Sequence, residues 1–159
     1  RYHRQRKQHH KTLSEWAGQV LGLLQRWLPE REIVVVADSS YAVIELLQQV
    51  SGMSDVRVVT RLRLDAALYD PAPTRKPGQN GRPRKKGARR PTLQQVLANA
   101  QTQWARITVK NWYGGGEREV EITTDTAVWY HSGLPPVTIR WVLIREPHAR
   151  FSPQTLLTT

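Results

Sequence analysis

The sequence predicts an α/β fold in which a βαβ unit is followed by a mainly antiparallel β region. Three observations carry this expectation. Ile33-Val34-Val35-Val36-Ala37 is an unbroken, mostly β-branched run, as in a strand buried on both faces. A helical stretch and a second apolar run follow it within about 30 residues, the length of one parallel crossover. Beyond residue 100 the apolar residues recur at every second position instead, the period of a strand with one solvated face.

Residues 1–11 are basic, with five Lys or Arg and three His. Thr12-Leu13-Ser14-Glu15 then forms a capping-box pattern, which starts a helix by satisfying orphan N–H groups reciprocally. Leu13, Trp16, Ala17, Val20, Leu21, Leu24, Trp27 and Leu28 follow at helical spacing on one apolar face. Trp16 and Trp27 are expected in the core. Pro29 stands where that helix should stop. After the run 33–37, Asp38-Ser39-Ser40 closes the strand. Residues 41–50 read as a helix stopped by Ser51-Gly52, and Val56 to Leu64 as a second strand.

The character changes after Asp65. From Pro71 to Pro91 the chain is rich in Pro, Gly and basic residues, with no acidic one. Such a composition cannot build a core, so a mobile loop is expected. Thr92 to Ala100 suits a short helix. Ile107 and Val109 alternate with polar residues, as do Val120 and Ile122. With Gly114-Gly115-Gly116 between them, they predict an antiparallel hairpin. Further strands are expected at Ala127–His131 and Val137–Arg145.

Length and charge bound the function. A chain of 159 residues holds one domain, or one with an insertion. Lys and Arg number 24 against 13 Asp and Glu, a formal charge of +11. That favours a polyanionic partner, most simply nucleic acid, over a merely basic surface. There is no cysteine, which excludes disulfides, thiolate metal sites and a cysteine nucleophile. No apolar run approaches the roughly 18 residues of a membrane helix, and no signal peptide opens the chain. It begins at Arg1 rather than at Met, and a fragment of a longer protein is expected.

Asp38 is the sharpest feature. In an open α/β sheet, ligands gather at the carboxyl ends of strands, where an Asp leaving an apolar strand would put its carboxylate. The two small serines after it favour the start of a helix. By its residues alone, Asp38 suits a helix cap, a ribose-binding acid, a phosphoacceptor or a metal ligand. The second candidate feature is the run Arg75, Lys76, Arg82, Arg84, Lys85, Lys86, Arg89 and Arg90. It can neutralise phosphates without reading sequence, or serve as a solvated linker. The glycine triplet joins two strands rather than a strand and a helix, so it reads as a turn and not as a phosphate cradle. The histidines lack metal-ligand spacing. Asp65 and Asp70 read as turn residues, and Glu146, beside Pro147, as a strand end.

Several motifs taken in order resemble the DDE-type transposases of bacterial insertion sequences. Arg31 to Ala42, with Asp38 at its centre, is similar to the second-aspartate motif. Arg6-Lys7-Gln8-His9-His10-Lys11-Thr12 resembles the segment before it. Asn80 to Gly87, Trp112 to Glu117 and Pro136 to Arg145 resemble later segments. The resemblance implies a partial RNase H-like core over 1–64 and a β-rich insertion over 65–145 with the basic loop 71–91. It implies a return segment over 146–159, leading toward a helix that bears a catalytic Glu.

The resemblance further implies that Asp38 is both catalytic and a metal ligand. Two more carboxylates would lie before Arg1 and after Thr159, and together the three would hold Mg2+ or Mn2+ for DNA cleavage and strand transfer. The implied partners are transposon-end and target DNA, met by a homodimer of the full-length protein in the bacterial cytoplasm, near the nucleoid. Lys11 and the loop cations would contact that DNA. Trp112 or Trp129 would stack on a flipped base, unless both pack within the β region. Alone, the fragment is expected to be inactive. Three competing readings remain: a non-catalytic nucleic-acid-binding module, a decayed transposase remnant, and a phosphoacceptor domain, which lacks a convincing acidic pair.

Overall fold

The computed structural model describes residues 10–75, 77–78, 80–112, 115–148 and 151–159. The basic segment 1–9, with its motif Arg6-Lys7, lies outside them, as do Lys76 and Gly114.

Helix α1 spans Leu13–Trp27 and opens with the expected capping box between Thr12 and Glu15. Strand β1 (Ile33–Val36) leads through a short 3-10 turn at Ser39–Tyr41 into helix α2 (Ile44–Ser51), capped by Gly52. Strand β2 (Val56–Arg61) pairs parallel with β1, Val35 opposite Val58. This is the expected βαβ unit.

The short strand β3 (Leu68–Tyr69) precedes helix α3 (Leu93–Ala98), which carries a second capping box between Thr92 and Gln95. Strand β4 (Ala105–Val109) forms the expected hairpin with β5 (Arg118–Trp129), and β6 is Val137–Arg145. The separate strand expected at Ala127–His131 is the end of the twelve-residue β5. Its polar stretch, Thr123 to Thr126, hid the continuity. Strand β7 (Gln154–Thr158) was not foreseen, because five residues with two adjacent leucines show no period.

These strands form one seven-stranded sheet in the order β1-β2-β7-β6-β5-β3, with β4 also on β5. Only β1 and β2 pair in parallel. The others pair antiparallel, and β7 lies between β2 and β6. The βαβ unit and the antiparallel region therefore share one sheet, and the core runs across both. Leu47, Val50, Leu143 and Leu157 are almost wholly buried in it. Helix α2 packs on β2 and β6, and α1 packs on α2. At Gly18 the Gln49 side chain fills the space where a Cβ would sit, and its amide nitrogen donates to Gly18 O at 3.1 Å.

Two expectations about burial are corrected. Strand β1 is not buried on both faces: Ile33 and Val35 pack against the core, but Val34 and Val36 are 57% and 81% exposed. It is an edge strand, bonded to β2 alone among the described residues, and α1 and α2 lie on its Val35 side. Nor do Trp16 and Trp27 enter the core. They are 53% and 70% exposed. The helix buries Gly18 and Leu21, with Ala17 and Leu24 packed beside them. Leu13, Trp16, Val20 and Trp27 form a neighbouring stripe that faces out. The apolar arc of α1 is wider than the surface it meets.

A third correction concerns the basic loop. Residues 85–90 are not unanchored: the N–H of Gly87 donates to Asp70 O at 2.8 Å and the N–H of Arg90 to Leu68 O at 2.9 Å. An isolated bridge joins Tyr69 and Arg89. Backbone pairing and the Arg90 ion pairs with Asp70 and Asp125 supply the anchor that apolar side chains do not.

Candidate functional site

Asp38 leaves β1 and caps the turn that follows. Its Oδ1 accepts hydrogen bonds from the Ser40 N–H at 2.7 Å and from the Ser40 hydroxyl. The Thr60 hydroxyl donates to its backbone carbonyl and ties the exit of β1 to β2. The side chain is exposed. Among the described residues the strand it leaves is the edge of the sheet rather than one buried on both faces. Asp38 stands at an apolar groove of about 530 Å³ between α1 and β1, lined by Leu21, Leu24, Val35 and Val36 among others.

The Ser40 hydroxyl, and then its backbone N–H, hold the Asp38 carboxyl below the usual carboxylate range, because both donors favour the ionised form. The capping role is therefore real, but it uses one oxygen. Oδ2 makes no hydrogen bond among the described residues. A single oxygen fits one position of a Mg2+ or Mn2+ shell, which takes several oxygen ligands. No group of three His, Cys, Asp or Glu side chains able to hold a metal occurs among the described residues.

Ser40→Ala removes the larger of the two shifting contacts. The Asp38 pKa is expected to rise toward the ordinary carboxylate value, so that the group protonates at higher pH than in the wild type. An NMR titration of the side-chain carboxyl carbon reads this directly. An unchanged titration would show that the hydroxyl contributes nothing.

The other acids weighed in the sequence, Asp65, Asp70 and Glu146, are occupied. Arg63 Nη2 lies 2.6 Å from Asp65, and Arg90 Nε lies 2.7 Å from Asp70. Glu146 is buried, with Arg118 Nε 3.8 Å away. Each serves local structure at a turn or strand end.

The basic candidates fall into separate groups. Arg75, Arg82 and Arg84 line one cleft of about 520 Å³ with Asn80 and Gly81. Lys85 and Lys86 stand over tyrosine rings, Lys86 Nζ 3.4 Å from the Tyr69 centroid. Arg89 is exposed on the bridge to Tyr69. Arg90 is half-buried and committed to Asp70 and Asp125, at 2.7 and 2.8 Å. Lys11 lies over Trp16 at 4.9 Å. None of them lines the Asp38 groove.

Of the two tryptophans, Trp129 packs against the core. Trp112 is half-buried at the hairpin end, its ring 5.2 Å from Phe151 and 5.7 Å from the Arg118 guanidinium.

Two arrangements escaped the sequence. Tyr69 and Tyr130 meet edge to face at 6.5 Å. Arg106, Glu121 and Arg145 form a ladder across three strands at 3.3 and 2.8 Å, with Arg145 stacked 3.9 Å over Trp104. Arg145, and then Arg106, hold the Glu121 carboxyl below its usual range. Only the strand register makes these residues neighbours.

The fold is that of a mixed α/β protein with an ionised carboxylate at the exit of its parallel edge strand and cations gathered elsewhere on its surface. Residues 1–118 match the DDE superfamily endonuclease family, and the chain belongs to that family. The match spans Asp38, the basic loop and the β4 hairpin strand. No curated protein matches the chain. No helix among the described residues is long and apolar enough to cross a membrane.

Proposed function

We propose that the chain is part of a DDE transposase and that Asp38 is one of the carboxylates of its metal centre. The observation that carries this is the exposed Asp38 carboxylate at a strand exit, oriented by hydrogen bonds from Ser40, in a member of an endonuclease family. The remaining carboxylates would come from other segments of the longer protein. Mg2+ or Mn2+ held there would activate the attacking oxygen and stabilise the leaving oxygen in DNA cleavage and strand transfer. In this reading Ser40 orients Asp38, and Thr60 fixes the backbone from which it projects.

The parallel pair β1–β2 with α2 fits a partial RNase H-like core over 1–64. Residues 65–145 fit a β-rich insertion that extends the same sheet, and 146–159 a return segment that adds β7 to it. The cations would meet the phosphates of transposon-end and target DNA, and a homodimer of the longer protein in the bacterial cytoplasm would hold that DNA. Arg90 contributes least, since two carboxylates already offset it. Trp112 is better placed than Trp129 to meet a base.

The test is cleavage of a transposon-end duplex by the full-length protein with Mg2+ or Mn2+. Binding without cleavage under either ion would favour the non-catalytic module instead. Within this reading, replacing Arg75, Arg82 and Arg84 with Ala is expected to lower the slope of log affinity against log salt by about 2.7, at about 0.9 per phosphate contact. Loss should be equal on cognate and random duplexes, because phosphate contacts carry no base information. Selective loss of the cognate duplex would mean that the cleft reads bases.

A further inference from the structure

The most strongly built cationic patch lies where the basic segment returns to the sheet. Lys86 Nζ sits 3.4 Å from the Tyr69 ring centroid and 4.8 Å from that of Tyr130. Lys85 Nζ lies 6.0 Å from the Tyr130 centroid and donates to Leu134 O at 3.3 Å. Both rings are half-buried, and they brace each other edge to face.

The backbone under the lysines is fixed by three hydrogen bonds: Asp70 N–H to Ala88 O, Gly87 N–H to Asp70 O, and Arg90 N–H to Leu68 O, at 2.9, 2.8 and 2.9 Å. Arg90 clamps the same turn through Asp70 and Asp125. Gly87 is needed there, since a Cβ would sit 2.5 Å from Pro71 O.

Two adjacent ammonium groups are thus held in place without a counter-charge. Among the described residues no carboxylate lies within ion-pair distance of Lys85 or Lys86. A ring face attracts an ammonium but offers its N–H groups no oxygen acceptor. Those donors call for an oxyanion. The ring contact has already ordered the side chains, so binding costs less entropy than it would for free lysines. The ammonium over Tyr69 covers that ring face, so a nucleobase cannot stack there.

We propose that Lys85 and Lys86, positioned by Tyr69 and Tyr130, contact two phosphates of the backbone of duplex DNA. This rests on the DNA-binding reading above and names the atoms that make one part of the contact. An acidic peptide would satisfy the ammonium groups too. The duplex is favoured because a further basic cleft, around Arg75, Arg82 and Arg84, adjoins in sequence and the whole chain carries +11.

The experiment is fluorescence anisotropy of a random 20-base-pair duplex with this chain across a salt series. The Lys85→Gln/Lys86→Gln variant is expected to lose about 1.8 from the salt slope, two contacts at about 0.9 each, with its thermal midpoint unchanged. Tyr69→Phe and Tyr130→Phe keep the rings and should bind as the wild type does. Tyr69→Leu/Tyr130→Leu should weaken binding severalfold.

A wild-type slope in the folded double-Gln variant overturns the proposal while leaving the DNA reading intact. So do Phe variants that fail as badly as the Leu variant. Displacement of the duplex by polyglutamate, with the same dependence on both lysines and tighter binding than the duplex, also overturns it. A wild-type chain that binds no duplex at all removes the DNA reading itself.

Discussion

Asp38→Asn is expected to abolish strand cleavage by the full-length protein while leaving its DNA affinity within about twofold. The loss should be about a thousandfold or more, because charge stabilisation at a metal centre is worth several kcal/mol and each 1.36 kcal/mol is tenfold in rate. Asn is as good a cap as Asp, so the Ser39–Tyr41 turn should survive, with the amide oxygen accepting from the Ser40 N–H. That separates the charge of Asp38 from its structural work, which the wild-type geometry combines on one side chain. Binding should persist because, among the described residues, no basic candidate lines the Asp38 groove. Parallel nicking and gel-shift assays with Mg2+ or Mn2+ read the two effects. Normal cleavage by the variant would remove Asp38 from the catalytic centre.

Leu143→Ala is expected to cost about 2–5 kcal/mol, the range for truncating a fully buried leucine. Its side chain is 0% exposed, on a strand flanked by β5 and β7. Because β7 carries the sheet from β6 to β2, the loss should reach the βαβ unit as well as the antiparallel region. Chemical denaturation should shift as a single transition. Hydrogen exchange should speed up in β1 and β2 together with β4 and β5. If the amides of residues 1–64 kept wild-type protection, the two halves would be separately stable units joined edge to edge.

Much of the fold was legible because local rules sufficed. Both capping boxes, Thr12 with Glu15 and Thr92 with Gln95, formed as the spacing required. The β-branched run 33–36 and the period-two segments became strands. The parallel β1–β2 pair followed from the length of the connection between them. Asp38 at a strand exit was legible for the same reason, since the end of an apolar run fixes where the carboxylate emerges. Strand β7 was not, because its pairing partners β2 and β6 lie far away in sequence and its own pattern is too short.

The sequence by itself determined the helices and the strands with a clear apolar period, though not β3 or β7, where the one candidate carboxylate stands, and that the surface is strongly cationic. Those depend on neighbours a few residues apart. The tertiary structure alone decided which apolar faces are covered, and so left Trp16, Trp27, Val34 and Val36 exposed. It also decided which charges are already matched. Arg90 met Asp70 and Asp125 and became structural, whereas Lys85 and Lys86 met only rings and a carbonyl. A charge acts on whatever lies within a few ångströms of it. For Arg90 and Asp125 that neighbour is 35 residues away, brought close because Arg90 pairs with Leu68 on β3 and β3 pairs with β5.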